Sequence, residues 1–159
     1  MRKTAAFPPP LSCDEIGVWR WLENFAAAVR DRDYAAGLAL FAEDCQGFGT
    51  VAAHTGSRAQ LHRRQWSRVW PRTSGFLFRR RRARLLFSAA GDLVVVTVHW
   101  AAWNNPAPGP RPGARDRSGR ATLVLRREGE NWLALHSHFS FDPSSRSEPA
   151  STPYRKTRA

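Results

Sequence analysis

Two histidines one residue apart, His136 and His138, are the side chains in this sequence best suited to chemistry. They stand in a run from Trp132 to Ser140 whose alternation reads as a β-strand, so both share a face about 7 Å apart. The parity rule sets Trp132, Ala134, His136, His138 and Ser140 on that face, and Leu133, Leu135, Ser137, Phe139 and Phe141 on the other. An imidazole among tryptophans loses hydration, which lowers its pKa and leaves it neutral near pH 7, able to accept or donate a proton. The expectation is that both histidines face a pocket and act there as acid or base; the plainer alternative is that they only satisfy buried polar partners. A zinc site would need a third ligand, and His99 on another strand is the one histidine that could offer it. Neither Cys13, Cys45 nor a well-placed Asp completes a metal set, so no metal and no cofactor is expected.

The elements that position this strand are legible from caps and periodicity. Ser12 and Glu15 form an S-x-x-E capping box ahead of Ile16, Trp19, Leu22, Phe25, Ala26 and Val29, which recur at helical spacing. Asp33 caps a short second helix over Tyr34 to Phe41, and Phe48-Gly49-Thr50 ends a short strand or turn. Ser57 and Gln60 form a second capping box that opens a third helix, with Leu61, Gln65, Trp66, Val69 and Trp70 along one side and Pro71 just past its end. Four strands follow, at Phe76 to Phe87, Leu93 to Trp103, Ala121 to Arg127 and Trp132 to Phe141. Gly91-Asp92 turns the first hairpin and Glu128-Gly129-Glu130-Asn131 the last, while the Pro/Gly stretch between Asn104 and Gly119 is too long for a tight turn and reads as a crossover or a lid. Helices followed by antiparallel strands make an α+β order in which the helices cover one face of a curved sheet.

A chain of 159 residues buries one core, and its 42% apolar content with seven tryptophans fits a packed globule. The expected division is a disordered tail over 1–11, a domain over 12–143 and a disordered tail over 144–159. No apolar run reaches the roughly 20 residues of a membrane span, so no membrane partner is expected. Met1-Arg2-Lys3-Thr4 leads into Phe7 and Pro8-Pro9-Pro10 rather than an apolar stretch, so no export signal is read; a cytoplasmic location and free thiols follow. The formal charge of +12 favours anionic partners, yet nearly all of it is arginine, which reads as a coding bias. Arg79-Arg80-Arg81-Arg82-x-Arg84 looks like a nucleic-acid patch as a string; on a strand it would split between two faces, and no binding-module pattern accompanies it.

Four local patterns, Phe48-Gly49-Thr50, Gln65-Trp66-x-x-Val69-Trp70-Pro71, Gly119-Arg120-Ala121-Thr122 and Trp132-x-x-x-His136-x-His138-x-Ser140, occur in order from Glu15 to Pro143. With them the chain resembles the SnoaL-like branch of the nuclear-transport-factor-2-like superfamily, which includes ketosteroid isomerases and the kinase association domain. The resemblance implies a cone-shaped, curved antiparallel sheet covered by three N-terminal helices around a pocket, and pairing as a homodimer through the outer sheet face. Its pocket would draw on Tyr34, Trp66, Trp70, His99, Trp103 and Trp132, with Trp100 beside them. Isomerase chemistry of the ketosteroid kind needs a carboxylate base and an acidic or phenolic donor. Only Asp44 could approach the cavity mouth, and Tyr34 is the only phenol inside the domain, so His136 or His138 is the better acid or base. The association domain's arginine cavity transfers weakly to Arg120 and Arg126. The resulting expectation is a small-molecule-binding domain, serving as binder or as isomerase, lyase or hydrolase. The alternatives are a non-enzymatic homo-oligomeric interaction domain and an arginine-driven nucleic-acid binder.

Overall fold

The computed structural model describes residues 12–104 and 117–143. The expected tails and the Pro/Gly crossover at 105–116 lie outside the described residues. Helix α1 (Cys13–Asp31) starts where the sequence places it: the Ser12 hydroxyl accepts the Glu15 N–H at 3.2 Å, and the Glu15 carboxylate accepts the Ser12 N–H at 2.8 Å. It stops at Arg32, whose φ of 57° lies in the left-handed region. Asp33 caps α2 (Tyr34–Ala39) by accepting the Ala36 N–H at 2.9 Å.

Here the structure departs from the sequence reading. Phe41 does not close α2 but opens a full strand, β1 (Phe41–Phe48). The segment Phe-Ala-Glu-Asp-Cys-Gln has weak strand propensity, and only its pairing with a strand distant in sequence makes it one. The Leu40 carbonyl accepts the Ala134 N–H at 2.9 Å at the start of that pairing.

The third helical segment is a composite of α3 (Arg58–Leu61), a π-helical turn (His62–Trp66), α4 (Ser67–Val69) and a 3₁₀ turn (Trp70–Arg72) that includes Pro71. The Ser57 hydroxyl accepts the Gln60 N–H at 3.2 Å, but the Gln60 side chain reaches back to the Gly56 N–H. Strands β2 (Thr73–Phe87), β3 (Leu93–Asn104), β4 (Arg117–Glu128) and β5 (Asn131–Phe141) follow, each starting at or before its expected residue.

The sheet order is β1-β5-β4-β3-β2, with β1 parallel to β5 and every other pair antiparallel. A sheet expected to be wholly antiparallel is therefore mixed, because β1 is a strand and runs alongside the last one. The α+β architecture is otherwise the expected one: the sheet is curved and open, with β1 and β2 at its edges. Helix α1 lies across its concave face and buries Val18, Trp21, Leu22, Phe25, Ala26 and Val29. They meet Val94, Val96, Leu123, Leu125 and Ala134, all essentially inaccessible to solvent. Phe25 is the hub, its ring centroid 5.9 Å from that of Phe139, 5.8 Å from Trp66 and 6.0 Å from Trp70. Among the described residues, no helix is long and apolar enough to cross a membrane.

One irregularity in β5 decides what faces the interior. In the β4–β5 ladder Val124 pairs with His136 and Leu125 with Ala134, so Leu135 is an extra residue and forms a β-bulge. Before the bulge Trp132 and Ala134 point inward; after it Ser137 and Phe139 do. The expected parity, which put His136 and His138 on the same face as Trp132, is reversed beyond Leu135.

Candidate functional site

Between the composite helix and the sheet lies a cavity walled by Phe25, Trp66, Trp70, Phe76, Trp100 and Phe139. About 50 Å³ of it admits the centre of a water molecule, room for about four waters. The Trp66 and Trp70 indoles stack at 4.6 Å, and Tyr34 stacks on Trp70 at 5.0 Å, backing the wall without lining it. Among the described residues, polar groups at the lining are few: Thr50, Gln65, Thr73, Ser137 and one cation, Arg117. Arg117 donates from Nη1 to the Thr73 hydroxyl at 2.9 Å and to the Arg72 carbonyl at 3.4 Å, and its guanidinium lies 5.5 Å above the Phe141 ring.

The mouth is shaped by Gln65. Its Oε1 accepts the N–H groups of Val51 at 3.0 Å and Ala52 at 2.8 Å, while its Nε2 donates to the Thr50 hydroxyl at 3.1 Å. Two of the sequence patterns are thus physical partners: a Cβ at position 49 would lie 2.3 Å from the Gln65 amide, so the Gly49-Thr50 turn closes over it only as glycine. Gly119 has a similar reason. A Cβ there would meet the Ser140 carbonyl at 2.0 Å and the Trp100 ring at 2.5 Å.

His136 and His138 do not line the cavity. They lie on the outer sheet face, where the exposed Phe48 ring sits 5.6 Å from His136, 5.7 Å from His138 and 5.7 Å from His54. His54 Nε2 is 2.8 Å from the Gln46 Oε1. Phe48, which also borders the cavity, is the residue shared by the two groups. The His136 pKa is lowered, first by partial burial and then by the neighbouring His138.

The remaining sequence candidates are dispersed. His99 is on the outer face with Nδ1 3.9 Å from the Asp142 carboxylate. The Trp103 ring occupies the space over Gly75, and Trp132 lies against Gly17 at the far end of α1. Asp44 is exposed on β1. Among the described residues, no three His, Cys, Asp or Glu side chains are grouped to hold a metal. Buried Cys45, beside Asp44, has its thiol pushed up to about 11 by burial and by that carboxylate, with Arg58 opposing.

The residues missed from sequence are Arg117, Thr73, Ser137 and Phe139. Arg117 was hidden because β4 starts four residues earlier than its apolar pattern, and Ser137 and Phe139 because a bulge leaves no mark on alternation. Arg120 and Arg126, to which the resemblance would assign an anion, are exposed on β4.

Comparison with solved structures bears on the fold. The chain is similar to a protein of unknown function with a cystatin-like fold from Nostoc punctiforme, at 15% identity over 84% of this chain and 95% of that one, TM-score 0.65. It is similar to an NTF2-like protein of unknown function from Pseudomonas putida, at 24% identity over 83% and 89%, TM-score 0.61. It is also similar to ActVI-ORFA from Streptomyces coelicolor, at 18% identity over 80% and 96%, TM-score 0.63. Among curated proteins none matches significantly. The SnoaL-like domain model matches residues 18–143, which hold the whole cavity and both histidines, and the chain therefore belongs to the SnoaL-like domain family, with an NTF2-like fold.

Proposed function

We propose that this domain binds a small, flat, largely apolar molecule carrying an anionic group, with the ring in the tryptophan-walled cavity and the charge at Arg117. The observation that carries this reading is the cavity's composition: among the described residues that line it, seven aromatic side chains and a single cation. Stacked indoles favour a planar ring, and a guanidinium favours a carboxylate or phenolate. Among the described residues that line the cavity there is no carboxylate, imidazole or phenol. The cavity thus offers shape, hydrogen bonds and one charge, which supports binding ahead of acid–base catalysis.

The test is fluorescence titration of the tryptophans with ring carboxylates and their neutral amides. Carboxylates of one-ring size are expected to quench saturably, and Arg117→Gln to weaken them by about tenfold or more while sparing the amides. Ser137→Phe, which fills the cavity, is expected to abolish both. Quenching that survives Ser137→Phe unchanged, or no saturable quenching by any member, would sink the reading.

A further inference from the structure

The edge strand β2 carries Arg79, Arg80, Arg81, Arg82 and Arg84, all exposed. In the β2–β3 ladder Arg79 pairs with His99 and Arg84 with Thr97, so the four residues 80–83 stand opposite Val98 alone. The strand must bulge there. The bulge breaks the strict alternation of a regular strand: Arg79 and Arg84, opposite His99 and Thr97, share the outer face, Arg80 reaches toward α1, and Arg81 and Arg82 stand exposed at the bulge itself. Arg80 lies 4.6 Å over the Trp19 ring, and Arg84 donates to the Ala83 carbonyl at 3.0 Å. None of the five forms an ion pair with another described residue.

Edge strands commonly carry a charge or a bulge that blocks pairing with a second sheet. One or two charges suffice for that, and a protective edge would not go on to expose apolar side chains. This one does: Leu86, paired with Val95, is 64% exposed directly after the arginines, whereas Phe87 turns to the other face with its ring centroid 6.1 Å from that of Trp132. A basic cluster followed by a projecting apolar side chain matches a surface that is anionic outside and apolar just beneath. A nucleic-acid backbone would engage the guanidiniums and leave Leu86 without a role.

We propose that the β2 edge, from Arg79 to Leu86, docks on anionic lipid headgroups, with Leu86 inserted at the acyl boundary. This is peripheral attachment and requires no spanning segment. It is independent of the cavity.

The experiment is co-sedimentation of the full chain with mixed phosphatidylglycerol–phosphatidylcholine vesicles and with pure phosphatidylcholine vesicles. Binding to the anionic vesicles alone, weakening as salt is raised, is expected. The double variant Arg81→Gln, Arg82→Gln should lower partitioning by about thirtyfold, Arg81→Lys with Arg82→Lys should retain it, and Leu86→Ser should lower it by about tenfold. All of these side chains are exposed, and an unchanged far-UV circular dichroism spectrum verifies each variant's fold. Equal binding to both vesicles, indifference to the glutamine pair, or indifference to Leu86→Ser overturns the proposal. So does a chain that ignores vesicles yet binds an oligonucleotide through the same arginines.

Discussion

The outer-face imidazoles have a measurable consequence at the scale of single residues. Partial burial, and the repulsion of a second charge at His138, hold the His136 pKa below its ordinary 6.5. Between the lowered native value and 6.5 the unfolded chain takes up a proton that the folded one refuses, so stability rises with pH across that window. The contribution is complete above the unfolded value and is lost as pH falls through the native one. Thermal melts between about pH 5 and pH 7 should show a declining midpoint on acidification, and His136→Gln should flatten the decline; a slope unaffected by that change would exclude the assignment. The residue types at this site were readable from sequence, since His136 and His138 do share a face. Which face it is depends on Leu135, a residue with nothing unusual in its chemistry. Arg117 is hard to read from sequence for a related reason: a strand's first polar residues look like loop until their ladder partners are known.

Among the elements, those fixed by local chemistry were the ones legible in advance. Ser12 with Glu15 and Asp33 with Ala36 form their caps within one turn of chain, so each helix start follows from a few neighbouring residues. Strand β1 was legible only at its end, as a short strand or turn closing at Phe48-Gly49-Thr50; its start and its pairing rest on β5 more than 80 residues away. The composite helix falls between these cases. Its apolar face was evident, but the π turn at His62–Trp66 was not, and that turn carries Gln65 over the loop it holds. Gln65 is 6% exposed and satisfies two backbone N–H groups on its own. Truncating it leaves both donors without a partner, the one on Ala52 buried, so Gln65→Ala should destabilise the fold by about 2 to 4 kcal/mol. The same change should accelerate amide exchange at Val51 and Ala52. Wild-type stability with unchanged exchange would show that the loop is held by other means.

Across the whole molecule, one face of the sheet is sealed by α1 and the composite helix, and the thiols report on that seal. Cys13 is exposed at the start of α1, whereas Cys45 is 1% exposed with its pKa pushed up to about 11. Thiolate is the reactive form. At pH 8 an alkylating reagent should therefore modify one thiol per native chain quickly, and the second only at the rate at which the core opens. Guanidinium should equalise the two; equal rates under native conditions would mean that β1 detaches readily. The overall α+β architecture was legible because helical and strand periods occupy separate halves of the chain. The contents of the interior were not, because they depend on phase rather than on period.

In that respect β5 behaves like a reading frame carrying a one-letter insertion. Upstream of Leu135 the strand is read in register with the interior, and downstream every side chain is read one step late. The same residues in strict alternation, with no bulge to absorb Leu135, would present two imidazoles to the tryptophan wall and turn the serine and the phenylalanine outward. The chemical inventory of the cavity is thus set by how the ladder absorbs one residue as much as by the identity of the rest.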